Sequence, residues 1–205
     1  TITIGGTIGN TAGSTSNIKS ITLTGDTGIS LGGDITTSTA ATSVIDINGN
    51  VTLTSNVTID ADQHSADSVD FSGTINSDST ARNLTIKTTG GNVVIQGAVG
   101  GSNALSALDI NTAEAAGNTG NITLASIGTD TAAGAASITV GNSRTGTLTL
   151  GGVEYFSTGA QTYESDDFDL TGADITFQTS NANVSFQDGG TGDIVLSDAA
   201  NLTIS

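Results

Sequence analysis

One short hydrophobic–polar phrase recurs along most of the chain. It begins with Asn, Asp, Ser or Thr and continues with an aliphatic residue, a small polar or aliphatic residue, and a second aliphatic residue or Phe. Because side chains alternate between the two sides of a strand, each phrase predicts a strand of about four residues with its apolar positions on one side. Clear examples are Asn50–Leu53, Asn56–Ile59, Asn83–Ile86, Asn92–Ile95, Asn121–Leu124, Asn183–Phe186 and Asn201–Ile204.

The spacing of these phrases favours a solenoid. Strand candidates recur every six to ten residues or so, and Gly, Asn and Asp fill the turns between them. The steps from Leu84 through Val93 and Val99 to Leu108 predict three short faces in each rung and about 20–25 residues per rung. An antiparallel sandwich would need longer strands and tight Asn-Gly hairpins, and Asn48-Gly49 is the only such dipeptide.

We therefore predict an all-β fold, a parallel β-helix with short strands and Gly, Asn and Asp turns. It should form a single solenoid segment over residues 1–205, as part of a longer repetitive or fibre-forming protein. A weak helical pattern over 103–116 does not change this interpretation, since Leu105–Ile110 also fits a strand.

The prediction assigns an inner and an outer position to each strand. Thr52, Thr58, Thr85, Thr123 and Thr149 should face outwards, while the aliphatic residues should fill one continuous column. The column is predicted to contain Val51, Leu53, Val57, Ile59, Leu84, Ile86, Val93, Ile95, Ile122, Leu124, Ile138, Val140, Leu148, Leu150, Ile175, Val184, Ile194 and Leu202.

Charge and composition narrow the possible partners. Four Lys and Arg residues stand against 20 Asp and Glu residues, which gives a net charge of −16. Nucleic acid and anionic membrane surfaces are poor partners for such a chain, because both require clustered cations. No apolar run is long enough for a membrane-spanning helix, so we predict no membrane insertion. The absence of Cys excludes disulfides and, with the low pI, favours a secreted or cell-surface protein.

The candidate chemistry is sparse. Carboxylates at Asp60, Asp62, Asp67 and Asp70 are weak candidates for a Ca²⁺ site, and we prefer the simpler interpretation that they form a solvated acidic loop. His64 is the only histidine, so it has no histidine or cysteine partner for metal binding or catalysis. The acidic run Glu164–Asp169 has no basic neighbour, and Gly189–Leu196 only partly matches a Ca²⁺-binding Gly-Gly-x-Gly-x-Asp repeat. We predict no catalytic residue, no cofactor and no enzyme activity.

One stretch has a familiar form. Gly90–Ile110 reads GGNVVIQGAVGGSNALSALDI and resembles the repeat of very large bacterial surface exoproteins, which are similar to filamentous-haemagglutinin-like and autotransporter adhesins. Asn50–Asp62 looks like the preceding part of that repeat unit, and Gly151–Tyr163 like the link into the next. The resemblance implies a right-handed parallel β-helix shaft on an extracellular protein.

Two functions follow from this as expectations. The first is a structural shaft or fibre-forming segment that associates end to end with other copies, or with neighbouring repeats of the same chain. Ile2, Ile4, Leu202 and Ile204 lie in the terminal strand phrases and are the predicted self-assembly ends. The alternative is an adhesin module that binds a glycan, a surface or a crystal through outward Thr residues.

The recurring Asn residues also allow several interpretations. Most of them begin an Asn-x-Ser/Thr sequence that could accept a glycan. Structurally, each could adopt a left-handed turn conformation or stack its amide on the Asn of the next rung.

Overall fold

The chain forms a parallel β-solenoid of about seven turns. The computed structural model describes residues 1–9, 18–37, 42–61, 66–111, 119–129, 134–189, 194–196 and 201–205. These residues form strands and connecting turns, and none of the described residues is helical. The predicted fold class is therefore confirmed.

The described residues form 23 strands. In chain order they are β1 (Ile2–Ile4), β2 (Ile8–Gly9), β3 (Ser20–Thr24), β4 (Ile29–Leu31), β5 (Ile35–Thr36), β6 (Val44–Asn48), β7 (Val51–Leu53), β8 (Val57–Ala61), β9 (Ser68–Phe71), β10 (Ile75–Ser77), β11 (Asn83–Thr88), β12 (Val93–Ile95), β13 (Leu105–Ile110), β14 (Ile122–Leu124), β15 (Ala135–Gly141), β16 (Thr147–Leu150), β17 (Glu154–Ser157), β18 (Gln161–Ser165), β19 (Asp167–Leu170), β20 (Asp174–Thr179), β21 (Val184–Asp188), β22 (Ile194–Leu196) and β23 (Asn201–Ile204).

The strands stack into three faces, and every strand pair is parallel. Face 3 is an unbroken sheet of β3, β6, β9, β12, β14, β16, β19 and β22. Face 2 comprises β2, β5, β8, β11, β13, β15, β18 and β21. Face 1 begins with β1, β4, β7 and β10, narrows to single bridging residues at Val99 and Ile127, and widens again at β17, β20 and β23.

The length of a rung varies along the solenoid. The most regular rungs advance by 24 residues, as from Ile45 to Val69 and on to Val93. The shortest step is 20 residues, from Leu148 to Phe168, and the longest is 30, from Ile110 to Val140. The register of the strands is thus kept while the connections between them change in length.

The predicted interior column is present. Aliphatic residues at alternate strand positions, such as Leu31, Leu53 and Ile95, are fully buried in one continuous cluster. Stacking is what removes this surface from water, because a single rung has too small a core to be stable by itself. Thr52 is exposed, and Thr58, Thr85, Thr123 and Thr149 are half-buried between neighbouring outward side chains.

Three predicted core residues differ from the rest. Leu202 is 40% exposed, so its predicted burial is wrong. It lies on β23, which pairs with β20 on one side only among the described strands, so one side of Leu202 has no neighbouring layer. Val184 is half-buried against the core, and the burial of Ile194 lies outside the described part of the structure.

Candidate functional site

The described residues among the Ca²⁺ candidates lie at different places on the solenoid. Asp60 lies on β8 of face 2, whereas Asp70 lies on β9 of face 3. Asp67 is buried at the corner before β9, where its Oδ1 accepts a hydrogen bond from the Ser43 amide. Asp62 and His64 lie outside the described residues. Within the described part of the chain, no group of three or more His, Cys, Asp or Glu side chains could hold a metal ion.

Asp70 lies beside another carboxylate on face 3. Burial raises its pKa above the ordinary value, and the neighbouring Asp46 on β6 raises the pKa further. The Gln96 amide donates a hydrogen bond to Asp70 Oδ1 at 3.2 Å and lowers the pKa in part. The arrangement is an acidic pair on face 3 with an amide donor beside it.

The second acidic run, Glu164–Asp169, spans the corner between faces 2 and 3. Glu164 ends up on β18, while Asp167 and Asp169 lie on β19. Ser165 fixes this corner, because its hydroxyl donates to the Asp167 carbonyl at 2.6 Å. The run is therefore a structural corner rather than a convergent set of carboxylates. Of the Gly-rich turn at 189–196, residues 190–193 lie outside the described residues.

Four of the recurring Asn residues have a function that the sequence interpretation missed. The side-chain oxygens of Asn50, Asn56, Asn92 and Asn121, together with that of Asp34, accept hydrogen bonds from backbone N–H groups of the next rung at 2.7–3.1 Å. We call these contacts rung clasps. They join Asp34 to Thr58, Asn50 to Thr74, Asn56 to Asn83, Asn92 to Asn121, and Asn121 to Thr147.

The sequence suggested that these Asn residues adopt a left-handed turn or stack their amides on one another. The Asn residues that form clasps do neither. Among the described non-glycine residues, only Asn111 and Asn181 have positive φ, so none of the clasp residues is in a left-handed turn. The amides also do not stack on one another, since Asn92 Oδ1 contacts the backbone N–H of Asn121. Each clasp satisfies an N–H group at the entry of a strand, where it would otherwise depend on water.

A row of outward polar side chains runs along face 2. Strand register places Thr58, Thr85, Asp109, Thr139, Thr162 and Ser185 at equivalent positions on successive strands. Neighbouring members of such a row are about 4.8 Å apart. Thr52 and Thr123, which the sequence grouped with Thr58 and Thr85, lie on faces 1 and 3 instead.

Asp109 interrupts this hydroxyl row. Burial raises the pKa of its carboxyl group, and a hydrogen bond from Thr139 lowers it in part. The row therefore offers five hydroxyl groups and one carboxyl group on one side of the solenoid. Such a surface can make hydrogen bonds to a flat, repetitive ligand.

The two ends of the solenoid present apolar layers. Ile2, Ile4 and Ile8 are half-buried against the core at one end. At the other end Leu202 and Ile204 are 40% and 55% exposed, and Phe186 is half-buried. These positions include all four predicted self-assembly residues. These side chains are partly exposed because β1 and β23 each pair with a described strand on one side only.

These observations define the class of protein, a three-faced parallel β-solenoid with rung clasps. No family model, curated protein or solved structure matches the chain. No described helix is long and apolar enough to cross a membrane.

Proposed function

We propose that this chain is a structural shaft or fibre-forming segment of an extracellular bacterial adhesin or exoprotein. The observation that carries the proposal is the continuous stack of rungs, which combines an apolar column, parallel ladders on three faces, and clasps between neighbouring rungs from Asp34 to Thr147. A solenoid of this kind resists bending because each rung is held by its neighbours.

The extracellular placement rests on the sequence. The chain has no Cys and carries a net charge of −16, and Gly90–Ile110 resembles the repeat of bacterial surface exoproteins. Acidic solenoids repel one another at low ionic strength, and this repulsion is screened over about 10 Å at 0.1 M salt. A salty, divalent-rich exterior therefore favours stacking of such segments.

Imaging of the native assembly tests the shaft. We expect thin rods in which successive rungs are about 4.8 Å apart along the rod axis. Antibodies raised against this chain should label intact cells of the source organism without permeabilisation. Compact particles without an axial repeat would contradict the shaft, and labelling that requires permeabilised cells would contradict the extracellular location.

A second function is favoured by the hydroxyl row on face 2. The six aligned positions from Thr58 to Ser185 could bind a glycan or a repetitive surface through hydrogen bonds. A variant with Thr85→Lys and Thr139→Lys should abolish such binding, measured against a glycan array and mineral or ice surfaces. The matched control carries Thr52→Lys and Thr123→Lys, which place the same charges on faces 1 and 3. Equal binding by both variants would contradict a role of the row.

A further inference from the structure

One aromatic ring of the chain faces away from the core. The chain has five Phe and two Tyr residues, and six of these seven rings are buried or packed against the core. The exception is Phe156 on β17, which alternates with buried Tyr155 and Ser157 and is half-buried on the outer side of face 1. Phe156 takes no part in the ring contacts of the other aromatic residues. Packing of the core therefore does not explain a ring at this position.

The other outward positions in the same column of face 1 are small. Strand register aligns Thr3, Ser30, Thr52 and Asn76 along the first four strands of the face. Further along, Ile127 pairs with Tyr155, so Gly128 is the neighbour of Phe156 on that side. Because Gly128 has no side chain, the ring of Phe156 has a packing partner of side-chain type only on its other side.

Three polar side chains lie next to this ring. Gln178 on β20 is directly opposite Phe156, and Thr176 is directly opposite Glu154. These four outward side chains form a two-by-two arrangement, about 4.8 Å apart across the strands and about 6.6 Å apart along them. We call Glu154, Phe156, Thr176 and Gln178 the Phe156 patch.

The polar side chains of the patch are available to a ligand. Their backbone groups are engaged, since the Glu154 carbonyl accepts from the Ile127 amide at 2.8 Å and the Gln178 carbonyl accepts from Gln161 Nε2 at 2.8 Å. Among the described residues, however, no hydrogen bond involves the side chain of Glu154, Thr176 or Gln178. Gln178 is exposed, and Glu154 and Thr176 are half-buried.

The patch is also a property of the stack and not of a chain end. Strand β20 pairs with β17 on one side and with β23 on the other. Strand β17 in turn pairs with β20 and with the bridging residue Ile127. Both strands of the patch are therefore held on each side by a described neighbour.

The residue types of the patch match the chemistry of a sugar ring. The C–H groups on one side of a pyranose carry partial positive charge and pack on the negative face of an aromatic ring. Sugar hydroxyls donate and accept, so they suit a carboxylate, an amide and a hydroxyl. The net charge of −16 opposes binding of sialic or uronic acids, since like charges repel. A neutral sugar is the form that this surface accommodates.

We propose that the Phe156 patch binds a neutral glycan. The proposal rests on the proposed adhesin function and adds a site on face 1, separate from the hydroxyl row of face 2. The Phe156 ring packs against the C–H side of one sugar ring. Glu154 accepts hydrogen bonds from the sugar hydroxyls, while Thr176 and Gln178 both donate and accept.

Substitutions at Phe156 test the stacking contact. The probes are immobilised neutral oligosaccharides of glucose, galactose and N-acetylglucosamine, and circular dichroism checks that each variant is folded. We expect Phe156→Ala to weaken binding about tenfold, the effect of one lost stacking contact. Phe156→Tyr keeps the ring and should bind as the wild type does. Thr52→Ala, in the same outward column, is the matched control and should leave binding unchanged.

A second pair of variants separates binding from support of the fold. Phe156→Leu keeps an apolar side chain beside Gly128 but removes the ring, so it should weaken binding as much as Phe156→Ala does. Gln178→Ala leaves the ring in place and should weaken binding about tenfold through one lost hydrogen bond. A Phe156→Leu variant that binds as well as the wild type would overturn the proposal, because the side chain would then only cover Gly128.

Two further outcomes would overturn the glycan site and leave other conclusions standing. Binding that survives Phe156→Ala but is lost with Thr85→Lys and Thr139→Lys would assign the glycan to the hydroxyl row of face 2. A wild type that binds no neutral glycan, but binds a lysine-rich peptide at low salt only, would make the patch a cation site built on the ring and Glu154. In both cases rods in the native assembly would still support the shaft.

Discussion

The solenoid has an aliphatic region and an aromatic end, and the two fill the same tube differently. From β4 to β16 the column is built mostly of Ile, Leu and Val, with Phe71 as the buried aromatic residue there. From β17 to β21 five inward-facing aromatic residues join Leu170 and Ile175 in the column. Tyr155 stacks on Phe177 with ring centroids 4.9 Å apart, and Tyr163 stacks on Phe186 at 5.3 Å. The two stacks contact each other edge to face, as Tyr163 and Phe177 do at 5.5 Å.

The aromatic end also contains a buried polar network. The Tyr163 hydroxyl donates to Gln161 Oε1 at 3.0 Å, and Gln161 Nε2 donates to the carbonyls of Tyr155 and Gln178, each at 2.8 Å. The Tyr155 hydroxyl donates to the Leu124 carbonyl at 3.2 Å. Burial raises the pKa of both tyrosine hydroxyls, so they stay protonated donors. One aliphatic residue can replace another of similar volume in the column. The buried hydrogen bonds of the aromatic end, in contrast, require Tyr and Gln at specific positions.

A conservative substitution in each region should give the largest contrast. Phe177→Leu loses contacts with three rings, each worth about 0.5–1.5 kcal/mol, so we expect the free energy of unfolding to fall by about 2–4 kcal/mol. Ile95→Leu keeps the volume of an aliphatic layer and should cost less than about 1.5 kcal/mol. Urea unfolding of both variants measures the difference. Equal losses would mean that the aromatic end is as tolerant as the aliphatic region.

A Gly→Ala substitution at the turn that leads into face 1 should lower stability by a similar amount in the aliphatic region and at the aromatic end. A Cβ atom on Gly73 would collide with the backbone of Gly49, and one on Gly172 would collide with the Gly152 carbonyl. Because backbone cannot move aside as a flexible side chain can, Gly73→Ala and Gly172→Ala should each cost about 1–3 kcal/mol. Thermal unfolding tests this, and a loss confined to one variant would show that the corner is not a common feature.

Asn residues that form clasps should matter for stability more than an exposed Asn of the same sequence pattern. Asn121→Ala leaves the N–H of Thr147 without its partner, so we expect a loss of about 0.5–1.5 kcal/mol. Asn183→Ala should change the free energy of unfolding by much less, because the Asn183 side chain is exposed and no described strand follows β21 on face 2. Similar losses in both variants would contradict the clasp as a contact between rungs.

The smallest expected effect is a pH dependence on face 2. Because burial raises the folded-state pKa of Asp109, its contribution is fully present below the unfolded-state pKa and is lost as pH rises through the folded-state pKa. Asp109→Asn should therefore be slightly more stable than the wild type at neutral pH and equally stable in strong acid. Unfolding curves across the acid range check the sign. A variant that is less stable at neutral pH would contradict it.

The comparison explains what the sequence could and could not predict. The phrase Asn92–Ile95 carries its own strand, inward side chains and turn, so the fold class and most of the aliphatic column follow from local pattern. The aromatic end could not be predicted in this way, since Tyr155 and Phe177 meet only after register has been set across 22 residues. The clasps were missed for the same reason, because Asn92 and Asn121 are partners 29 residues apart.

Errors at the ends have a separate cause. Leu202 has the same local pattern as Leu84, yet Leu84 is fully buried and Leu202 is 40% exposed. The difference lies in the number of neighbouring rungs, which no local pattern records. Similarly, outward Thr52 and Thr58 look equivalent in sequence but lie on different faces, so the hydroxyl row of face 2 could be recognised only from strand pairing.

Strand-by-strand hydrogen exchange in dilute solution tests most directly whether neighbouring rungs stabilise one another. We expect the amides of β1 and β23, which have a described neighbour on one side only, to exchange fastest and those of β9 and β12 to be the most protected. End strands as protected as β9 in a dilute monomer would contradict the account.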